Sequence, residues 1–205
     1  MKQYLVAAGA ALVIAGGAAL PAFADVIVGD NRDNVLRGTA GPDTIRAHRG
    51  DDVLLGRGGR DRLFGKGDRD RLEGGDQRDF LLGGTGADQL NGGRGDDELA
   101  GAVGGDELVG GLGNDELNDF VATEFGPDFA DDEDTLVGGA GNDRIGLVDG
   151  PDRVSAGAGR DVVRLETDGA PDVIRCGAGT DRVLYLGGRD RRDTVNDCER
   201  VRVLR

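Results

Sequence analysis

Large aliphatic residues recur every nine positions through most of this chain: Ile45, Leu54, Leu63, Leu72, Leu81, Leu90, Leu99, Leu108 and Leu117. Two positions before each stands an aspartate: Asp43, Asp52, Asp61, Asp70, Asp79, Asp88, Asp97, Asp106 and Asp115. These matches define a gapless nonapeptide repeat over residues 38–118, and Asn34 with Leu36 keeps the register one block earlier. The first half of each block reads as a turn, best seen from Gly83 to Asp88, where glycine supplies positive φ. The second half, such as Gln89, Leu90 and Asn91, reads as a very short strand whose middle side chain points away from its neighbours' side. One aliphatic per block cannot fill a globular core. Stacked on itself, it builds a narrow apolar ladder. Two blocks then make one coil, and coils stack about 4.8 Å apart as parallel strands, so that roughly ten coils give a rod of about 45–50 Å.

The register slips once. Asp134, Asp143, Asp152 and Asp161 resume it after an offset of two periods plus one residue, with Leu136, Ile145, Val154 and Val163 behind them. Residues 119–133 form an acidic interruption, with a distorted block expected around Gly126, Pro127 and Asp128. Beyond Arg164 the spacing loosens: Asp172 precedes Ile174, Asp181 precedes Val183 and Asp193 precedes Val195. Repeats therefore occupy residues 25–164, and residues 165–205 read as degenerate repeats and a cap, which an open stack needs. Val195, Val201, Val203 and Leu204 are expected to fold back over the ladder's end.

Residues 1–24 read as a secretory signal peptide. Lys2 precedes an apolar run from Leu5 to Leu20, then come Pro21 and small residues at Ala22 and Ala24, ahead of a cut before Asp25. The expectation is a secreted, extracellular protein with no membrane span in the mature chain. In that compartment the two cysteines, Cys176 and Cys198, read as one disulfide.

Composition narrows the chemistry. A single histidine, His48, and a single serine, Ser155, argue against a multi-histidine zinc site and a serine hydrolase triad. His48 falls at a turn position and is expected to be exposed rather than a ligand. The net charge of −14 argues against nucleic acid as a partner. With 39 glycines in 205 residues, so acidic a chain is either disordered or organised by a cation. The regular ladder favours the cation.

Coiling in pairs places Asp79, Asp97 and Asp115 in one column and Asp88 with Asp106 in the opposite one. Carboxylates about 5 Å apart in partly dry turns repel, so something positive must sit between them. Calcium suits this, because it accepts carboxylates and backbone carbonyls in loose geometry. The pattern Gly-Gly-x-Gly-x-Asp-x-aliphatic-x resembles the RTX, or haemolysin-type, calcium-binding nonapeptide repeat. It is clearest at Gly83 to Asp88, Gly92 to Asp97, Gly110 to Asp115 and Gly138 to Asp143. The resemblance implies an all-β fold, a parallel β-roll or β-solenoid with two repeats per coil. It also implies Ca2+ between successive turns, held by the aspartates and turn carbonyls. The expected metal ligands are Asp79, Asp88, Asp97, Asp106, Asp115, Asp134, Asp143, Asp152 and Asp161.

The blocks are unequal. Residues 25–78 hold eleven acids and eleven bases, whereas residues 79–161 hold twenty acids and four bases. In the first segment arginines flank the aspartates, as in Arg60, Asp61 and Arg62, and two turns replace their fourth-position glycine with Asp68 and Gln77. Two readings stay open there. Arginine–carboxylate pairs hold the columns, or the arginines are solvated outside the roll. Calcium occupancy at Asp43, Asp52, Asp61 and Asp70 is accordingly left open.

The leading expectation is a secreted, non-enzymatic calcium-binding protein with a structural, adhesive or matrix role. Its partners are calcium ions and a cell-surface or matrix polysaccharide or protein. The alternative is a polysaccharide-modifying enzyme or its accessory module, using acids such as Asp96, Glu98, Glu107 and Glu116.

Overall fold

The computed structural model describes residues 4–6, 24–119, 132–148, 150–166 and 168–204. All regular structure among them is β. The first strands are β1 (Tyr4–Val6), β2 (Val26–Val28), β3 (Val35–Arg37), β4 (Thr44–His48), β5 (Val53–Gly58), β6 (Arg62–Gly67) and β7 (Arg71–Asp76). Then come β8 (Phe80–Thr85), β9 (Gln89–Arg94), β10 (Glu98–Val103), β11 (Glu107–Leu112), β12 (Glu116–Asn118), β13 (Thr135–Ala140) and β14 (Arg144–Leu147). The last are β15 (Arg153–Gly159), β16 (Val162–Glu166), β17 (Val173–Gly179), β18 (Arg182–Leu186), β19 (Thr194–Asn196) and β20 (Arg200–Leu204). Several strands run longer than the three-residue segments expected, because pairing continues through the glycines: Gly93 stays in register with Gly111.

The chain winds alternately through two parallel sheets. Even-numbered strands, with β1, form an eleven-stranded sheet, and odd-numbered strands from β3 form one of nine. Every pairing is parallel, and through the regular repeats its register is one coil, as in Leu63 beside Leu81 and Leu81 beside Leu99. This is a parallel β-solenoid of about nine turns. The eighth-position aliphatics face inward and form one continuous ladder: Leu54, Leu63, Leu72, Leu81, Leu99, Leu108, Leu117 and Leu136 are fully buried. Later coils thicken it, because Leu147, Ala156, Leu165, Cys176 and Tyr185 fill the inward position that glycine holds elsewhere. A small apolar cluster of Leu82, Ala100 and Ala102, with Phe64 and Phe80 against it, lies outside the ladder.

The interruption falls where the spacing placed it, between consecutive rungs. β11 pairs directly with β13, and β12 directly with β14. The described strands on either side of residues 119–133 are therefore neighbouring rungs. The block expected around Gly126 to Asp128 lies outside the described residues, as does most of the leader expected over residues 1–24.

At the C-terminal end, Cys176 and Cys198 form a disulfide with Cα atoms 5.2 Å apart. It ties β17 to the segment before β20. The residues expected to fold back do not. β20 continues the sheet as its last rung, Val201 beside Val183 and Val203 beside Tyr185. Val201 and Val203 lie in the inward rows and are exposed among the described residues. No helix among the described residues is long and apolar enough to cross a membrane.

Candidate metal centre

Each corner of the coil raises a backbone problem. The N–H of the sixth-position residue lies between two strands, where the ladder of main-chain bonds is interrupted, and a buried N–H needs an acceptor. The aspartate of the next coil provides it. The N–H of Asp79 donates to Oδ1 of Asp97 at 2.8 Å, and that of Asp97 to Oδ1 of Asp115 at 2.9 Å. On the other side the N–H of Asp88 donates to Oδ1 of Asp106 at 2.8 Å, and that of Asp106 to Oδ1 of Asp134. The carbonyl of each aspartate also accepts an N–H from the next coil, as Asp79 does from Glu98.

These bonds make two unbroken columns. One runs from Asp43 through Asp61, Asp79, Asp97, Asp115, Asp143, Asp161 and Asp181 to Glu199. The other runs from Asn34 through Asp52, Asp70, Asp88, Asp106, Asp134, Asp152 and Asp172 to Asp193. All nine aspartates expected as ligands lie in them, and all nine are buried. The columns also take in Asp172, Asp181, Asp193 and Glu199, which the loosened spacing of the tail had hidden. The signal for the first three was present as an aspartate two residues before an aliphatic.

The second carboxyl oxygen is the notable one. Oδ2 is buried and accepts no hydrogen bond at Asp52, Asp61, Asp70, Asp79, Asp88, Asp97, Asp106, Asp115, Asp143, Asp161 and Asp181. Asp43 differs, since its Oδ2 accepts from the N–H and hydroxyl of Thr39. Among the described residues no three acidic, histidine or cysteine side chains gather as a preformed cluster. The other donors are main-chain oxygens. A Cβ placed on Gly92 would fall 2.5 Å from Oδ2 of Asp97 and 2.8 Å from the carbonyl oxygen of Gly110. The space that this glycine leaves is thus shared by a carboxyl oxygen and a carbonyl oxygen of the next coil. Gly56, Gly74 and Gly110 repeat the arrangement. These are hard oxygen donors, the kind calcium takes.

Burial makes ionisation costly here. It pushes Asp106 and Asp152 up to about 9, Asp70 to about 8, and Asp79 and Asp172 to about 7. Asp61, Asp88, Asp97, Asp115 and Asp143 rise to about 6. The N–H bonds to Oδ1 pull the other way but do not win. At Asp106 the carboxylates of Asp88, Asp134 and Asp132 add repulsion. Such a site is completed by a proton or by a cation.

The arginines settle outside. Arg60, Arg62, Arg69, Arg71 and Arg78 are exposed, and the recorded ion pairs join Arg71 to Glu73 and Arg78 to Glu98. Asp61 and Asp70 are therefore as buried and as poorly satisfied as Asp97. The first coils differ in backbone instead. Asp68 and Gln77 hold the left-handed conformation of the glycines they replace, at φ 72° and 79°, because stacking dictates the turn. His48 is exposed, at the end of β4.

Fold and site together define a parallel β-solenoid with carboxylate columns and glycine-lined corners. The family model described as RTX calcium-binding nonapeptide repeat matches in overlapping copies over residues 28–123, 130–145 and 148–167. That is more than half of the chain, and the protein belongs to this family of calcium-binding repeats. Among curated proteins none matches the chain.

Proposed function

We propose that this is an exported, non-enzymatic structural protein whose roll is completed by Ca2+ between successive turns. The observation that carries the reading is the row of buried Oδ2 atoms without a partner, joined at Asp61, Asp79, Asp97 and Asp115 by a turn carbonyl of the next coil. An orphaned buried acceptor costs about 1–3 kcal/mol, more when charged, and repetition multiplies that cost. Asp79, Asp88, Asp97, Asp106, Asp115, Asp134, Asp143, Asp152 and Asp161 are assigned as ligands, and Asp61 and Asp70 join them on the same grounds. When bound, calcium supplies the charge that lets these carboxyls ionise in a dry corner. The chain's own part is to hold Oδ1 on an N–H, aim Oδ2 at the gap and exclude water.

The division into a leader over 1–24, a roll over 25–164 and a cap over 165–205 belongs to the same proposal, as does an adhesive or matrix role. Two of the acids that an enzyme would draw on are engaged between rungs. Asp96 accepts from the N–H and amide of Asn114, and Glu107 accepts from Gln89. The test is circular dichroism of the exported protein with chelator and with calcium. Chelated protein should lose β signal over the acidic coils, and about 10⁻⁴–10⁻³ M calcium should restore it cooperatively. Identical spectra would sink the reading.

A further inference from the structure

We infer that the outer face of the eleven-stranded sheet carries a docking surface for residues 120–131 of the same chain, and that this segment straps across β10, β8 and β6. The inference goes beyond the calcium reading and does not depend on what completes the carboxylate columns.

The surface is an apolar patch on a wall that is elsewhere wet. Leu63, Leu81 and Leu99 face inward, so the residues beside them in each strand face outward. Phe64, Leu82 and Ala100 form one outward row, with Phe80 and Ala102 in the rows on either side. Leu82, Ala100 and Ala102 are nonetheless only 4%, 6% and 5% exposed. The equivalent outward residues of the other sheet, Asn91, Val109 and Val137, are exposed or half-buried. Among the described residues, the hydrophobic side chains packed against the patch are Phe64 and Phe80, both half-buried, with ring centroids 5.7 Å apart. Asn118 follows Ala100 in the row. An alanine methyl on an outer face is too short to be hidden by its own strand, so the burial of Ala100 calls for a cover.

The chain brings a matching segment to the rim of the patch. The N–H of Ala102 donates to the carbonyl of Asp119 at 2.8 Å, and the N–H of Gly104 donates to Oδ2 of Asp132 at 3.0 Å. Both anchors of residues 120–131 therefore lie at the end of β10. The segment contains Phe120, Val121, Phe125 and Phe129. Of the six phenylalanines in the chain, three stand in this segment and two on the patch, so the rings that a narrow ladder cannot house fall on two surfaces that meet. Twelve extended residues reach about 40 Å. From β10 to β6 is two rungs, about 10 Å, so the segment can cross the patch and return. Tethered at both ends, it meets the patch at an effective concentration of about a millimolar, which a separate molecule does not match.

Charge agrees. The outward positions of β4 and β6 carry Arg46, Arg62 and Lys66, with His48 at the end of β4. Arg46 and Lys66 lie over the Phe64 ring, at 5.4 and 5.6 Å from its centroid. The acids on this stretch of the face are Glu98 and Glu116, on β10 and β12. Glu98 has Arg78 at 3.9 Å, and Glu116 has Arg144 beside it in the next rung. Residues 120–131 hold Glu124, Asp128 and Asp131 and no base. Attraction to β4 and β6 thus draws the segment away from its anchors and over Leu82, and its phenylalanines take the place of water on the patch.

The chain has no tryptophan, so Phe125→Trp places a single fluorescent reporter in the segment. The full chain is measured in saturating calcium, with circular dichroism recorded on every sample. The indole should emit to the blue of free tryptophan and resist acrylamide quenching, equally at all protein concentrations. Adding Leu82→Lys should shift the emission to the red and restore quenching, whereas Leu112→Lys, at a residue 54% exposed on a turn, should change neither. Arg46→Glu with Arg62→Glu, both at exposed positions, tests the charge without touching the patch and should loosen the indole, most at low salt. This pair decides the matter if Leu82→Lys costs the β signal. A solvent-exposed indole in the folded parent overturns the inference. So does a shielded indole that is indifferent to the patch and charge variants while the β signal persists. A blue shift that appears only as concentration rises would show a second copy on the patch and also overturn it. None of these outcomes bears on the calcium reading, which stands or falls on the β signal with and without the ion.

Discussion

Asp106→Asn should change sign with calcium. Asp106 is 3% exposed, and its Oδ1 accepts the N–H of Asp88. Asparagine keeps the shape and that acceptor while removing the charge. Burial pushes the folded carboxyl up to about 9, against about 4 in an unfolded chain. At pH 7 the calcium-free roll must therefore take up a proton there in order to fold. The cost is about 1.4 kcal/mol for each pH unit above 4, or about 4 kcal/mol as a ceiling. The amide carries no such cost, so the chelated variant should be more stable than the parent, by about 2–4 kcal/mol. In calcium the order should reverse, because one ligand and its charge are gone. Urea unfolding of both proteins, with chelator and with saturating calcium, reads the two differences directly. Destabilisation of similar size in both conditions would refute the reasoning, since it would mean that the carboxylate matters only as a hydrogen-bond acceptor.

Four further outcomes are expected. The chelated roll should fold in mild acid and unfold as pH rises: a raised folded pKa gives stability that is fully present below about pH 4 and lost through about pH 6–9, which circular dichroism across that range will show. Asp97→Ala and Asp61→Ala should each lower calcium stoichiometry in calorimetry, while Asp43→Ala, whose Oδ2 is already held by Thr39, should leave it unchanged. Gln77→Gly should stabilise the roll by about 1 kcal/mol, read as a raised unfolding midpoint, by relieving a left-handed side chain at φ 79°. Cys198→Ser should open β17 to β20 to proteolysis while the earlier coils still bind calcium, the lost crosslink being worth about 3 kcal/mol.

Much of the molecule was legible from spacing alone. A nine-residue period with one aliphatic and one aspartate per block leaves few ways to bury Leu63, Leu81 and Leu99, and stacking them is the one that the structure adopts. The same arithmetic sorted Asp79, Asp97 and Asp115 from Asp88 and Asp106, since side chains one coil apart must share a corner. The paired cysteines were equally readable. The resemblance to the calcium-binding repeat came from residues that recur, and recurrence is a property of sequence.

Other features waited on the fold, because they depend on what approaches a residue rather than on the residue itself. No spacing says that the carboxylate of Asp97 serves the N–H of Asp79 with one oxygen and leaves the other bare; only the closeness of successive corners does. The arginines beside Asp61 and Asp70 looked able to neutralise the columns, yet the columns lie inside the coil and those side chains project outward. Asp172, Asp181 and Glu199 joined the columns although their spacing had slipped, because pairing between strands absorbs extra residues in the turns. Val201 and Val203 were expected to fold back over the ladder, and the parallel register made them the next rung of the sheet instead. Sequence determined the repeat and its chemistry. Tertiary structure decided which oxygen is satisfied and which charge is buried, because those are set by neighbours a full coil away along the chain.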